Sequence, residues 1–226
     1  ATGRGVSIIT QAAAADQGID IEEARIIIQG FGNVGSYTAQ LLSERGAKII
    51  AVGDHTGALF NGDGFDIPAL LEHARREHCI SGFPGEAIEG DTLLEQACDI
   101  LIPAALGGVI TRDNANDVQA RMVVEAANSP ITTIGDEILN ERNILVVPDI
   151  LANAGGVTAS YFEWVQNVQA FSWDEDHVNE QLEKYMLQAY NSVRSIMKER
   201  SACMRTAAFS IAIERVAKAE KIRGDL

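Results

Sequence analysis

The sequence predicts an α/β fold, a Rossmann-like doubly wound and mostly parallel sheet with helices appended at its carboxyl end. Three observations carry that expectation. Short apolar runs rich in β-branched residues alternate with longer helical stretches. The runs are continuous instead of alternating, as strands buried on both faces require. The first three elements follow one another as strand, helix, strand, which is a βαβ unit. With 46% hydrophobic and 22% charged residues among 226, the chain can bury a substantial core, which excludes disordered and low-complexity classes.

Taken in order, strands are expected over 25–29 (RIIIQ), 47–53 (AKIIAVG), 98–103 (CDILIP), 121–126 (RMVVEA) and 143–148 (NILVVP). Between the first two, Val34, Tyr37, Thr38, Leu41 and Leu42 form one helical stripe that Gly46 ends. Residues 54–90, rich in glycine, read as connections around a helix over 68–77. Three Ser/Thr-x-x-acid pairs, Thr92 with Glu95, Thr133 with Asp136 and Ser172 with Glu175, mark helix starts. Asp174, Glu175 and Asp176 then sit in a first helical turn, where they suit the helix dipole. Helices are expected over 174–200 and 205–221. With neither repeat nor linker, one domain is the economical organisation: a sheet core over about 20–150 and a helical part over 157–226.

Charge narrows the partners. Eighteen basic and 32 acidic residues leave a net −14, a surface that repels phosphodiester backbones and anionic lipid. Neither nucleic acid nor membrane is therefore an expected partner, and any anionic ligand must be held locally. Cys79, Cys98 and Cys203 include no CxxC pair and read as reduced thiols of a cytoplasmic protein. No apolar run reaches the ~20 residues of a membrane helix, and no basic-then-apolar signal pattern opens the chain. It opens Ala1-Thr2-Gly3-Arg4, without Met, which reads as part of something longer. His73, His78 and Cys79 lack a second ligand pair at a matching spacing, so no metal is expected. No GxSxG marks a nucleophile.

The chemistry-bearing motif is Gly30-Phe31-Gly32-Asn33-Val34-Gly35, a GxGxxG that follows the first strand and opens the first helix. Gly30 permits the tight turn, Gly32 lets a pyrophosphate approach the backbone, and Gly35 lets helix and strand pack closely. Unpaired N–H groups at the helix start supply the local attraction that the acidic surface withholds. Asp54 ends the second strand at the expected distance of about 20 residues, where a carboxylate bonds ribose hydroxyls and repels a 2′-phosphate. His55 and Thr56 follow it, with no Arg or Lys to greet that phosphate, so NAD is favoured and NADP is the alternative.

These residues belong to a longer pattern. ATGRGV at Ala1, QGFGNVG at Gln29, ILIPAAL at Ile100, VVEAAN at Val123, LVVPDILANAGGVTASYFEWVQN at Leu145 and RTAAFSIAIERVA at Arg205 resemble the carboxyl-terminal half of the glutamate, leucine, phenylalanine and valine dehydrogenases. The likeness is greatest to the glutamate enzymes. The resemblance implies that Thr2 and Asn33 contact the cofactor, with Phe31, Val34, Ala104 and Ala105 against it. It places Asn128 and Asn153 by the nicotinamide and the substrate, and Val157 and Ser160 toward the substrate. Asn supplies both donor and acceptor for a carboxamide, and Ser160, one turn after Val157, would share its pocket. A hydroxyl there suits the side-chain carboxylate of L-glutamate, whereas leucine and phenylalanine enzymes are apolar at that place. From the residues alone, Asn128 reads as a turn and Ser160 as a helix-start hydroxyl.

In the family a catalytic lysine and aspartate come from an amino-terminal domain, and none of the five lysines here has the glycine-rich setting that lysine occupies. No catalytic residue is assigned. The resemblance implies oxidative deamination of L-glutamate to 2-oxoglutarate and ammonia by the complete enzyme, a homohexamer, with a chain of this length monomeric and inactive alone. Two readings stand beside it: a leucine- or phenylalanine-type enzyme, and a non-catalytic NAD(H)-binding module. Two stretches depart from the family's usual pattern: Leu106-Gly107-Gly108 replaces Leu-Glu-Asn, and Ala127-Asn128-Ser129-Pro130-Ile131 replaces Gly-Asn-Gly-Pro-Thr.

Overall fold

The computed structural model describes residues 1–224. Seven strands form one sheet in the order β4-β3-β2-β1-β5-β6-β7. They are β1 (Arg25–Gln29), β2 (Lys48–Asp54), β3 (Gly57–Phe60), β4 (Glu86–Ile88), β5 (Cys98–Pro103), β6 (Ala120–Val124) and β7 (Leu145–Val147). The pairs β2-β1, β1-β5, β5-β6 and β6-β7 are parallel. The chain reverses direction of winding at β1, whose neighbours are β2 on one side and β5 on the other. A crevice therefore opens at the carboxyl ends of β1 and β5, the place where doubly wound sheets bind ligands.

Each strand of the central sheet buries both faces, which explains the continuous apolar runs. Ile26, Ile28, Val52, Ile100, Ile102 and Val124 face one core, and Ile27, Ile50, Leu101, Val123 and Val146 face the other. The first is covered by α1 (Thr2–Asp16), α2 (Asn33–Ser43) and α7 (Glu175–Arg200) through Val6, Ile9, Leu42, Leu182 and Met186. The second is covered by a 3-10 helix over Gly90–Glu95 and by α4 (Thr133–Glu141), through Leu93, Leu94 and Leu139. Helix α3 (Ile67–Glu77), started by Asp66 accepting from the Ala69 N–H and by Pro68, docks Ile67 and Leu70 on the first core. Short α5 (Asp149–Ala152) leads into α6 (Gly155–Gln169), and α8 (Met204–Arg223) ends the described chain.

Several local expectations need correction. Residues 54–90 hold two antiparallel strands, β3 and β4, as well as the expected helix. Asp54 pairs with Gly57 across the two-residue loop His55-Thr56, closed by the Asp54 side chain accepting from the Thr56 N–H and by Gly57 at φ +137°. None of the three Ser/Thr residues paired with an acid caps a helix. Thr132, not Thr133, caps α4 by accepting from the Gly135 N–H, which frees Asp136 for an ion pair. Asp174, not Ser172, caps α7 by accepting from the His177 N–H. Thr92 lies inside the 3-10 helix and donates to the Glu89 carbonyl. Carboxylates and hydroxyls both cap well, so spacing alone does not choose between neighbours.

Candidate cofactor site

The glycine turn is built from backbone. The Gly30 N–H donates to the Gly53 carbonyl at 2.8 Å, and the Ala104 N–H donates to the Gln29 carbonyl at 2.6 Å, which locks β1 between β2 and β5. Gly30 has φ +102°, and a Cβ on it would meet Ala104 and Ala105 at 2.8 Å. A Cβ on Gly35 would collide with the Gly30 carbonyl oxygen, whereas one on Gly32 would project into open space. Helix α2 begins at Gly32 with no side-chain cap and no acid in its first turn, so its N–H groups face the crevice bare. That is an anion site on backbone alone.

Thr2 reaches this crevice through close helix contacts. A Cβ on Gly5 would meet the Gly155 Cα at 2.9 Å, and one on Gly3 would meet the Val34 carbonyl oxygen at 2.9 Å, so α1 lies directly against α2 and α6. Thr2, Val34, Ala104, Ala105, Asn128, Asn153 and Val157 together line one hollow of about 360 Å³, with Ala126, Ala127 and Gly156. The last three escape sequence reasoning, because small side chains beside a motif leave little signal. Asn153 donates from Nδ2 to Asn128 Oδ1 at 2.8 Å, which leaves the Asn128 amide nitrogen free to donate.

Four expected residues stand elsewhere. Asn33, the first residue of α2, is exposed and does not line the hollow. Phe31 is buried in the first core beneath the turn. Asp54 does end β2, but its carboxylate accepts from the Thr56 N–H at 2.7 Å, from the Thr56 hydroxyl and from the Ile80 N–H at 2.8 Å, and is only 11% exposed. Ser160 is exposed on α6 one turn beyond Val157 and does not line the hollow with it. His73 bonds the Ser81 carbonyl and packs edge-on to Phe83, and His78 closes α3 in the left-handed region. Among the described residues no three His, Cys, Asp or Glu gather as a metal site. No described helix is long and apolar enough to cross a membrane.

A charged network lies behind the asparagine pair. Glu125, fully buried after β6, accepts from Arg205 of α8 on both oxygens, at 2.9 and 2.8 Å. Arg205 also donates to Asp136 at 3.0 Å. Burial pushes the Glu125 carboxyl above its usual range, against the pull of the guanidinium. Burial also works against the Arg205 charge, yet its bonds to Glu125 and Asp136 raise it on balance and keep it protonated. Glu125 takes the Asp149 N–H at 2.8 Å, and Asp149 takes the Ser129 N–H at 2.8 Å. The two stretches that depart from the family pattern touch each other, because the Gly108 N–H donates to the Ser129 carbonyl at 2.9 Å.

Sheet order, glycine turn and bare helix start together define a Rossmann-type α/β domain. The chain belongs to the Glutamate/Leucine/Phenylalanine/Valine dehydrogenase family, whose pattern matches residues 1–224. It is 45% identical over 224 residues to the cryptic catabolic NAD-specific glutamate dehydrogenase GudB of Bacillus subtilis (strain 168), covering 99% of this chain and 52% of that protein. Among solved structures it superposes on glutamate dehydrogenase from Peptoniphilus asaccharolyticus with TM-score 0.85 and 37% identity, over 100% of this chain and 53% of that one. It superposes on the hetero-hexameric glutamate dehydrogenase of Thermus thermophilus, in its Leu-bound form, with TM-score 0.93 and 29% identity, over 99% and 53%. The chain thus spans about half the length of the relatives it matches.

Proposed function

We propose that this chain is the cofactor-holding half of an NAD-dependent glutamate dehydrogenase of the cytoplasm, which deaminates L-glutamate oxidatively to 2-oxoglutarate and ammonia. The observation that carries this is the hollow that joins Thr2, Val34, Ala104, Asn128 and Asn153 at the switch point of the sheet. The residues fit a dinucleotide: a Cβ on Gly32 would project into the open space that a pyrophosphate needs, Gly30 and Gly35 let the turn pack closely enough to form, and the uncapped α2 start suits pyrophosphate. Gly30, Gly32, Asn33 and Gly35 would hold the phosphates, and Asn128 and Asn153 the carboxamide. The cofactor, when bound, supplies the hydride-accepting chemistry. This chain's own contribution is binding, orientation and exclusion of water.

NAD is favoured because the Asp54 carboxylate closes the end of β2 with negative charge, which repels a 2′-phosphate even while its oxygens are occupied by Thr56 and Ile80. The name of the Bacillus subtilis relative supports both NAD and glutamate. Ser160, exposed beside the hollow, is assigned to the substrate carboxylate, in a cleft completed by a second domain that brings the acid and base. The hexamer named for the Thermus thermophilus relative supports a hexamer for the whole enzyme, and the free cysteines suit a reducing compartment.

Titration of the chain with NADH and NADPH, followed by nucleotide fluorescence, tests the reading. NADH is expected to bind more tightly. Binding of neither would defeat the proposal, and tighter NADPH would overturn the role of Asp54. In the whole enzyme, Ser160→Val is expected to lower kcat/KM for glutamate; retained glutamate activity would remove Ser160 from the site.

A further inference from the structure

We propose that Arg205, from a helix 80 residues away in sequence, is a positioning residue for the nicotinamide end of the cofactor, acting through Glu125 and Asp149 on the Asn128-Ser129 turn. The inference rests on the cofactor reading of the hollow and adds how its polar corner is held. Ser129 has φ +46°, a left-handed backbone that costs an L-residue energy, and it precedes Pro130, which restricts it further. Such a conformation persists only where its surroundings over-determine it. Here both peptide groups of Ser129 are clamped: Asp149 Oδ2 takes its N–H, and the Gly108 N–H binds its carbonyl. Asp149 is in turn held by its own N–H on Glu125, and Glu125 is held by both arms of the Arg205 fork. Asn153 closes α5 by donating its N–H to the Asp149 backbone carbonyl at 3.0 Å, and its side chain donates in turn to Asn128, so the two asparagines flank the residue that clamps the turn.

Two further features show that the network is specific to this corner. Arg205 lies in the first turn of α8, the end of a helix where a cation opposes the dipole, so its placement is set by the carboxylates it meets. Glu125 has no exposed surface, and a bidentate guanidinium is the partner that satisfies both of its oxygens at once. Lysine would supply the charge without the fork.

The test compares NADH with ADP-ribose, which carries the phosphates and adenosine but no nicotinamide, on the full 226-residue chain. Asp149→Ala is expected to raise the NADH Kd by about tenfold or more, the scale of one hydrogen bond to a charged group, and to leave the ADP-ribose Kd within about twofold. Asp149→Asn, which still offers an oxygen to the Ser129 N–H, restores most of the loss. Arg205→Met shifts the same ratio in the same direction, and Arg205→Lys rescues it only in part. Should Arg205→Met fail to fold, the Asp149 pair carries the test alone. Equal weakening of both ligands, or an unchanged NADH Kd in Asp149→Ala, would overturn the positioning role. A wild-type chain that binds ADP-ribose but not NADH would also overturn it, while sparing the dinucleotide crevice. Binding of neither ligand would overturn the cofactor reading itself.

Discussion

The two ends of the crevice are made of different material. At the phosphate end the ligand-facing surface is backbone: Gly30, Gly32 and Gly35 are present for what they lack, and α2 offers N–H groups that no side chain caps. At the asparagine end the surface is side chain: Asn128 and Asn153 bond each other, and the adjoining Ser129 is held by Asp149, Glu125 and Arg205. A backbone site draws its ligand-facing groups from one turn of chain, although Gly53 of β2 and Ala104 and Ala105 after β5 hold that turn in place. A side-chain site of this kind depends on partners from β6, α5 and α8, which only the fold brings together. The first end is local and tolerates no added atom at Gly30 or Gly35; the second is distributed and tolerates no lost charge.

Breaking the distributed end should cost the most. Arg205→Met strands the buried Glu125 carboxylate, and loss of one partner of such a pair costs about 3–5 kcal/mol. Urea unfolding followed by circular dichroism measures it, and a loss below about 1 kcal/mol would show that the network is solvated. At the local end, Gly35→Ala drives a methyl group onto the Gly30 carbonyl and toward Ile28. A stability loss of about 2 kcal/mol is expected from overpacking, together with loss of NADH binding by fluorescence titration.

Smaller changes sharpen the contrast. Ser129→Gly relieves the left-handed strain and should gain about 1 kcal/mol in the same urea measurement. A loss instead would mean that the clamp does not strain the turn.

Cys98, buried at the start of β5 and remote from both ends, is the control. Burial pushes its thiol from an ordinary 9.0 up to about 12. The thiolate is the reactive form, so a disulfide reagent at pH 8 should label the folded chain at Cys79 and Cys203 and reach Cys98 only on unfolding. Because the folded value lies above the unfolded one, this thiol's contribution to stability is complete below about pH 9 and is lost as pH rises toward 12. Cys98→Ala should therefore flatten the alkaline limb of the stability curve slightly. A profile identical to that of the wild type would contradict the raised value.

The same division decides which parts of the fold and the site are legible in the amino-acid sequence. The glycine turn, β1, β2, β5 and α2 are legible because their signals are short-range: period, a GxGxxG spacing, a run of β-branched residues. Helix α1 gives no such signal, since Gly3 and Gly5 weaken helix propensity and serve only to let α2 and Gly155 approach. Strands β3 and β4 are hidden by their brevity and by the glycines around them. Arg205 stands in a family motif without a visible role, because its partners lie 69 and 80 residues away. Asp136 has the spacing of a capping acid for the same reason, although it serves that guanidinium instead. The position of Asp54 at the end of β2 follows from its distance to the glycines, but its engagement by Ile80, 26 residues on, depends on how the chain returns from α3.

The contact of Gly5 with Gly155 also bears on the order of events in folding. Thr2 joins the hollow only when the start of the chain meets a segment about 150 residues later, and contacts between such distant positions form slowly because loop closure must come first. The turn that cradles phosphate needs only β2 and β5 beside it, whereas the complete hollow also needs the first helix and is a later acquisition. In a refolding time course, circular dichroism should recover before nicotinamide fluorescence, with the interval reporting the arrival of the first helix.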